Sequence, residues 1–250
     1  MPMPASPPLA PPLSLLQIEA RFKGRIWRGD TLGFSAEPVL SSGFDELDRE
    51  LPGGGWPTRN LTELLLPTEG VGEIGLLSAP LAQTTGSERN ILLVSPPYLP
   101  YMPAWENLDI DSRRVVMVRV HKPAERLWAL EQGIRSGAFG AVIGWLPEAS
   151  QQATRKLQIL ARSAAMVVFL LRPASAQSEP SAAPLRLLLG PARCHTLALY
   201  LLKRRGPPAA SPIRIVLGWR RYSSSSAGPP LSASGQHNAV DRSSLSRVIA

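Results

Sequence analysis

The sequence predicts an α/β sandwich, a mainly parallel sheet covered by helices on both faces and finished by antiparallel strands at its C-terminal edge. Three observations predict it. Short, continuous apolar runs recur along the chain and read as strands buried on both faces. Stretches with apolar residues at helical spacing separate them. The last three apolar runs follow one another without a helix between them, as antiparallel strands joined by short turns do.

The elements can be justified in order. Ser42-Gly43-Phe44-Asp45 reads as a capping box, with Ser42 as N-cap and Asp45 standing in for the usual glutamate. Phe44, Leu47 and Leu51 then form the stripe of an amphipathic helix, and Pro52-Gly53-Gly54-Gly55 stops it. Leu61–Leu66 is a strand. Gly70 and Gly72 precede Ile74, Leu77 and Leu81 at helical spacing, a helix weakened by Pro80. Asn90–Ser95 and the β-branched Arg114–Val120 are strands. Ala124–Ala138 is a helix with Leu127, Leu130 and Ile134 on one face. Ala141–Leu146 is a strand, Ser150–Ala164 a helix with Leu157, Leu160 and Ala164 inward, and Met166–Leu171 a strand. Leu185–Leu189, Thr196–Leu202 and Ile213–Leu217 finish the sheet.

Composition bounds the organisation. The chain has 250 residues, 44% hydrophobic and 18% charged, room for one domain with tails. Residues 1–20 form a Pro-rich N-terminus, residues 21–221 the domain and residues 222–250 a Ser-rich tail. Both ends read as disordered, because they offer no apolar stripe to offset ordering entropy. Ala174–Pro184, small, polar and twice interrupted by proline, reads as poorly ordered too. No run reaches the roughly 18 apolar residues of a membrane span, and the N-terminus lacks the basic region of a secretory signal. The cytoplasm is therefore the expected location, with no membrane contact. One cysteine, Cys194, excludes an internal disulfide framework, and His121, His195 and His237 are too scattered for a metal motif. Cys194 and His195 adjoin in a strand-like stretch and would point to opposite faces.

The net charge of +8 makes nucleic acid a candidate partner. The charge is uneven. Between Glu37 and Glu73 acidic residues dominate, while Arg193 to Arg221 holds seven basic residues and no acidic one. Within it, Lys203-Arg204-Arg205 is the candidate for weak, sequence-independent contact with DNA phosphates. A charged turn that keeps a sheet edge soluble is the alternative. Tyr98, Tyr101 and Trp105 lie in an aromatic, Pro-rich loop, candidates for partner contact or for plugging a pocket. Val248 and Ile249, after the Ser-rich spacer, are candidates for docking on a partner.

Ser42-Gly43-Phe44, Leu47-Asp48, Gly53-Gly54-Gly55-Trp56-Pro57 and Leu61-Thr62-Glu63-Leu64 follow in an order that resembles the approach to the nucleotide site of RecA. Lys23-Gly24 with Gly29-Asp30 resembles RecA's lead-in segment. Ser136-Gly137-Ala138 resembles the approach to its Walker B strand. The resemblance covers residues 22–218 and implies a RecA-like three-layer sandwich. The phosphate loop departs from Gly-x-x-x-x-Gly-Lys-Ser/Thr. With Gly72 as the second glycine and Gly70 inside the loop, Pro67 stands at the first glycine, Glu73 at the lysine and Ile74 at the hydroxyl. Pro97 stands where such ATPases carry the water-activating glutamate, and Trp145 where they carry the magnesium-associated aspartate. Glu148 is the nearest carboxylate, beyond Pro147. Losing the lysine, the hydroxyl, the base and the aspartate together leaves no hydrolysis route. The reading is a pseudo-ATPase, not an enzyme, with no catalytic residue, cofactor or metal. RecA's DNA-binding loop would fall at Pro173–Pro184, which has one charge, Glu179, and no glycine.

Within that superfamily, Leu51-Pro52-Gly53-Gly54-Gly55-Trp56-Pro57, Gly70-Val71-Gly72-Glu73, Pro96-Pro97-Tyr98, Trp145-Leu146-Pro147 and Leu202-Lys203-Arg204-Arg205-Gly206 resemble the ImuA family. Its members are accessory factors of damage-induced (SOS) mutagenesis and translesion synthesis. The resemblance implies two partners, an ImuB-like inactive Y-family polymerase homologue and an ImuC-like error-prone C-family DNA polymerase; RecA is a further candidate, and self-association is open. Some such proteins are labelled SulA-like. The alternatives are a SulA-like cell division inhibitor and a nucleotide-dependent recombination mediator.

Overall fold

In the computed structural model the described residues are 38–191, 195–209 and 211–218. The expectations for residues 1–20, Cys194, His237, the tail from 222 to 250 and its Val248 and Ile249 lie outside them.

Described elements alternate as predicted. A short ribbon pairs β1 (Val39–Leu40) with β2 (Trp56–Pro57), and between them lies α1 (Asp45–Asp48). Then come β3 (Leu61–Leu66), α2 (Glu73–Gly86), β4 (Asn90–Val94), α3 (Met102–Glu106), β5 (Val115–Val118), α4 (Pro123–Ser136), β6 (Phe139–Trp145), α5 (Gln151–Ser163) and β7 (Val167–Pro173). The strands β8 (Leu185–Leu189), β9 (Thr196–Lys203) and β10 (Ile213–Val216) finish the domain. The main sheet has the order β10-β9-β8-β3-β7-β6-β4-β5. It is parallel from β8 through β5 and antiparallel at β8–β9 and β9–β10.

Both faces of the sheet are covered because its strands are apolar at consecutive positions. Side chains alternate between two cores. Ile91 and Leu93 of β4 and Val167, Phe169 and Leu171 of β7 join α1 and α2 through Leu47, Leu76, Leu77 and Leu81. Leu92, Val94, Val168 and Leu170 point the other way, against Leu130 and Ile134 of α4 and Leu157 and Ala161 of α5. Trp56 meets Phe169 edge-on, ring centroids 5.4 Å apart. This is the three-layer α/β sandwich with an antiparallel C-terminal finish. No described helix is long and apolar enough to cross a membrane.

Three local expectations are corrected or refined. The first is the capping box: α1 has Phe44, not Ser42, at its N-cap, with no side-chain cap. With Gly43 at φ +81°, the Ser42 hydroxyl accepts the Phe44 N–H at 3.1 Å, one residue short of the helix. Asp48 closes the turn instead, accepting from the Ser42 N–H at 2.9 Å and the Ser41 hydroxyl at 2.7 Å.

The second, a refinement, is Pro80: the helix runs through it to Gly86. An interior proline costs about 3 kcal/mol, but fully burying Leu76, Leu77 and Leu81 returns about 1.5–3 kcal/mol each.

The third is Ala174–Pro184, which is held in place rather than poorly ordered. A short 3-10 turn spans Ala174–Ser178, and Ala176 and Ala183 are buried. Arg186 donates to the Ala176 carbonyl at 2.9 Å and Lys203 to the Ser181 carbonyl at 3.0 Å. Long side chains from neighbouring strands supply the order that the segment's own composition lacks.

Candidate functional site

The carboxyl ends of β3, β4 and β6 meet at the turn between β3 and α2, the usual place for a ligand in an open parallel sheet. The turn contains Gly70 at φ +76° and Gly72 at φ +113°, values that glycine adopts without a Cβ clash. Gly72 is the N-cap of α2 and Glu73 its first residue. Glu73 is 4% exposed. Its Oε1 accepts the Gly70 N–H at 3.0 Å and its Oε2 the Gly72 N–H at 3.1 Å. In a working phosphate loop such N–H groups and the positive end of the helix dipole face phosphate. Here the chain's own carboxylate takes them. Glu73 is therefore more than a reversed charge: it is an internal anion.

The structure brings the predicted loop and ATPase positions to one place. Gly70, Gly72, Glu73, Ile74, Pro97 and Trp145 all line a cavity of about 230 Å³, together with Tyr98 and Trp105. Pro67 lies on a neighbouring crevice shared with Trp145. Tyr98 leans over the loop, its Cε2 3.8 Å from where a Cβ on Gly70 would sit, yet it is 64% exposed. Tyr101 is 72% exposed. The loop is thus a roof with a free outer face, and the cavity beneath it is not filled. Trp105 departs from its expected role as a surface contact. It is 6% exposed and belongs to the core, because α3 turns its ring inward.

On the other side of the loop lies a larger cleft of about 740 Å³. Phe44, Ile74, Trp105, Leu108 and Leu217 wall it, and Tyr101 and Val216 reach its rim. Local spacing carries no signal that Leu217 belongs at this cleft. The chain leaving β10 lays it against α2, where a Cβ on Gly72 would fall 2.5 Å from its Cδ1. Gly-x-Gly was a signal for a close backbone approach, but not for which residue approaches.

Glu63, a motif residue, is wholly buried in β3 and binds two arginines. Arg172 donates to its Oε1 at 2.9 Å, and Arg186 of the adjacent β8 donates to its Oε2. Arg172 also donates to Glu179 at 2.5 Å. Burial alone would lower the Arg172 pKa, but its hydrogen bonds to Glu63 and Glu179 outweigh that and hold it above the usual arginine value. Glu63 anchors the sheet through these two arginines. Glu148 lies at the surface, 3.6 Å from Arg126.

The basic run at the end of β9 is divided in its commitments. Arg204 is largely buried and donates to the Glu50 carboxylate at 2.6 Å and to the Glu50 and Pro207 carbonyls. Its donors face protein rather than an approaching phosphate. Lys203 and Arg205 are exposed, Lys203 with its bond to Ser181.

No family model matches this chain. It is similar over part of its length to curated cell division inhibitors named SulA. The protein of Photorhabdus laumondii is 27% identical over 114 residues, 45% of this chain and 64% of that protein. That of Yersinia enterocolitica is 27% identical over 110 residues, 44% of this chain and 66% of the relative. That of Edwardsiella piscicida is 25% identical over 112 residues, 44% and 67%. The similarity is distant, and the chain spans slightly under two thirds of the first two relatives.

Proposed function

We propose that this chain acts in the cytoplasm of a bacterium responding to DNA damage, as a cell division inhibitor of the SulA kind that works by binding protein and not by catalysis. The similarity to the SulA proteins of three genera carries the division reading. The Glu73 carboxylate on Gly70 and Gly72 supports the absence of ATP chemistry. A phosphate entering beside it would meet a like charge, about 4 kcal/mol of repulsion at ~4 Å and an effective dielectric of ~20. That is half of the roughly 8 kcal/mol behind a micromolar affinity. Pro97 and Trp145 supply neither a base nor a magnesium ligand.

A second reading is the ImuA-like accessory role in SOS mutagenesis and translesion synthesis. The ordered motifs across residues 22–218 favour it, since the SulA match reaches 45% of the chain. Its partners would be an inactive Y-family polymerase homologue, an error-prone C-family polymerase and RecA. Weak DNA contact would run through Lys203 and Arg205, with Arg204 holding the turn.

Regulated expression in a rod-shaped bacterium separates the readings. Filamentation at normal growth rate supports division inhibition. Normal cell length, with loss of damage-induced mutation when the gene is deleted from its own host, supports the mutagenesis role. Absence of both phenotypes overturns both readings. Micromolar binding of magnesium-ATP by calorimetry overturns the non-catalytic reading.

A further inference from the structure

We propose that the outer face of α4 and α5 docks an acidic segment of a partner protein, one that carries apolar side chains among its carboxylates. This face lies across the sheet from α1 and α2, in the layer that covers the second core. The inference rests on the reading of this chain as one that works by binding protein, and it adds a surface and a partner chemistry to it.

Helical spacing sets the face. In α5, Ala153, Thr154, Leu157 and Ala161 turn inward, so Arg155, Ile159 and Arg162 form an outward stripe. In α4, Leu130 and Ile134 turn inward, and Trp128 and Arg135 outward. Both helices connect parallel strands, so they run in the same direction, and the Glu131 carboxylate meets Lys156 at 2.7 Å between them. Trp128 stands one turn before that bridge on α4 and Ile159 one turn after it on α5, with Arg135 at the level of Ile159. Trp128 is 63% and Ile159 61% exposed, and neither joins a core. They contribute nothing to the packing of the domain, and apolar and aromatic side chains ringed by arginine are what protein interfaces bury.

The charge of the face follows from its ion pairs, since residues 122–163 are all described. Glu125 faces Lys122 at 3.4 Å, Glu148 faces Arg126 at 3.6 Å, and Glu131 faces Lys156. These are the three carboxylates of the stretch, and each has its cation. Glu179, on the segment whose Ala182 N–H reaches the Thr154 hydroxyl, accepts from Arg172. Arg135, Arg155 and Arg162 are left over, with no ion pair or side-chain hydrogen bond among the described residues. The helix dipole accounts for Arg135 and Arg162, which stand in last turns. It gives no support to Arg155, in the second turn of α5. Arginines without counter-ions around two exposed apolar side chains are complementary to carboxylates and apolar groups together. A nucleic-acid backbone would answer the arginines and leave Ile159, which stands between two of them, without a partner.

The test uses the full chain and two labelled synthetic peptides of about 14 residues, followed by fluorescence anisotropy. Both carry leucine on one helical face; one has glutamate and the other lysine on the opposite face. The glutamate peptide is expected to bind about tenfold tighter or more. A protein of net charge +8 attracts acidic peptides at large, so the location of the effect decides. Arg155→Glu and Arg162→Glu are each expected to lower the affinity about fivefold or more. Arg49→Glu makes the same change of net charge at an exposed position in the layer across the sheet, and is expected to lower it less than about twofold. Trp128→Ser lowers it about tenfold with no change of charge. All four side chains are exposed, and an unchanged circular dichroism spectrum checks that the variants fold. Equal binding of the two peptides, an equal loss in Arg49→Glu, or unaltered affinity in Trp128→Ser overturns the proposal. So does displacement of the peptide by an oligonucleotide of about 20 nucleotides at equal concentration, which would assign the face to nucleic acid. Self-association dissolved by Trp128→Ser overturns it too, by assigning the face to a second copy. Failure of the peptide tests with filamentation or induced mutation intact removes this face and leaves the protein-binding reading standing; absence of both phenotypes removes that reading.

Discussion

A carboxylate buried at the first turn of a helix needs donors, and Glu73 takes them from the loop that delivers it. Replacing Glu73 with alanine leaves the Gly70 and Gly72 N–H groups without their acceptor. The expected cost is about 1–3 kcal/mol, read as a lower urea midpoint at unchanged slope. Glu63 carries a larger load. It sits between two nearly buried arginines, so Glu63→Ala leaves cationic groups unpaired in the sheet, an expected loss of about 3–5 kcal/mol. Equilibrium denaturation measures it, and a loss below 1 kcal/mol would contradict the anchoring role. The arginine side of this network brings no pH dependence at working pH. Arg172 has a raised folded pKa, so its contribution is fully present below the unfolded arginine value and is lost only above it. Both glutamates stand in the sequence as motif positions. Their opposite fates, one closing a loop and one pinning strands, depend on neighbours remote in the chain.

At the scale of elements, packing sets the bounds. Leu61–Leu66 and Leu185–Leu189 are strands over the ranges their apolar runs predict, because burial on both faces leaves little choice of register. The run Arg114–Val120 gives a shorter strand, Val115–Val118, since it pairs with β4 alone at the sheet edge. The Gly-rich bend after α1 carries a tighter constraint. A Cβ on Gly55 would fall 2.5 Å from the Leu40 carbonyl oxygen, backbone that cannot turn aside. Gly55→Ala is therefore expected to part β1 from β2 and cost about 1–3 kcal/mol. The thermal midpoint checks it; Gly54→Ser, with open space around its Cβ but φ +82°, gives the comparison for strain without a clash.

At the scale of the molecule, the described cores are closed within residues 47–215. Removal of residues 222–250 is expected to leave the thermal midpoint unchanged, since that stretch has no apolar stripe to offer a core. A fall of several degrees would show that it packs on the domain. If filamentation or induced mutation is lost at unchanged stability, the tail is a partner-binding peptide, with Val248 and Ile249 the residues to replace next.

The sequence alone determined the layered α/β class, the antiparallel finish and the residue types in the loop before α2. These follow from periodicity, from the absence of helices late in the chain, and from residue types at fixed local spacing. Such information is carried by neighbours a few positions apart. Tertiary structure decided what surrounds that loop. It placed Leu217 over Gly72, closed the Glu63 network from β7 and β8, and turned Trp105 into the core. It fixed Ala174–Pro184 through arginine and lysine side chains of other strands. Each of these joins residues tens of positions apart, and only the folded path of the chain sets the distances between them.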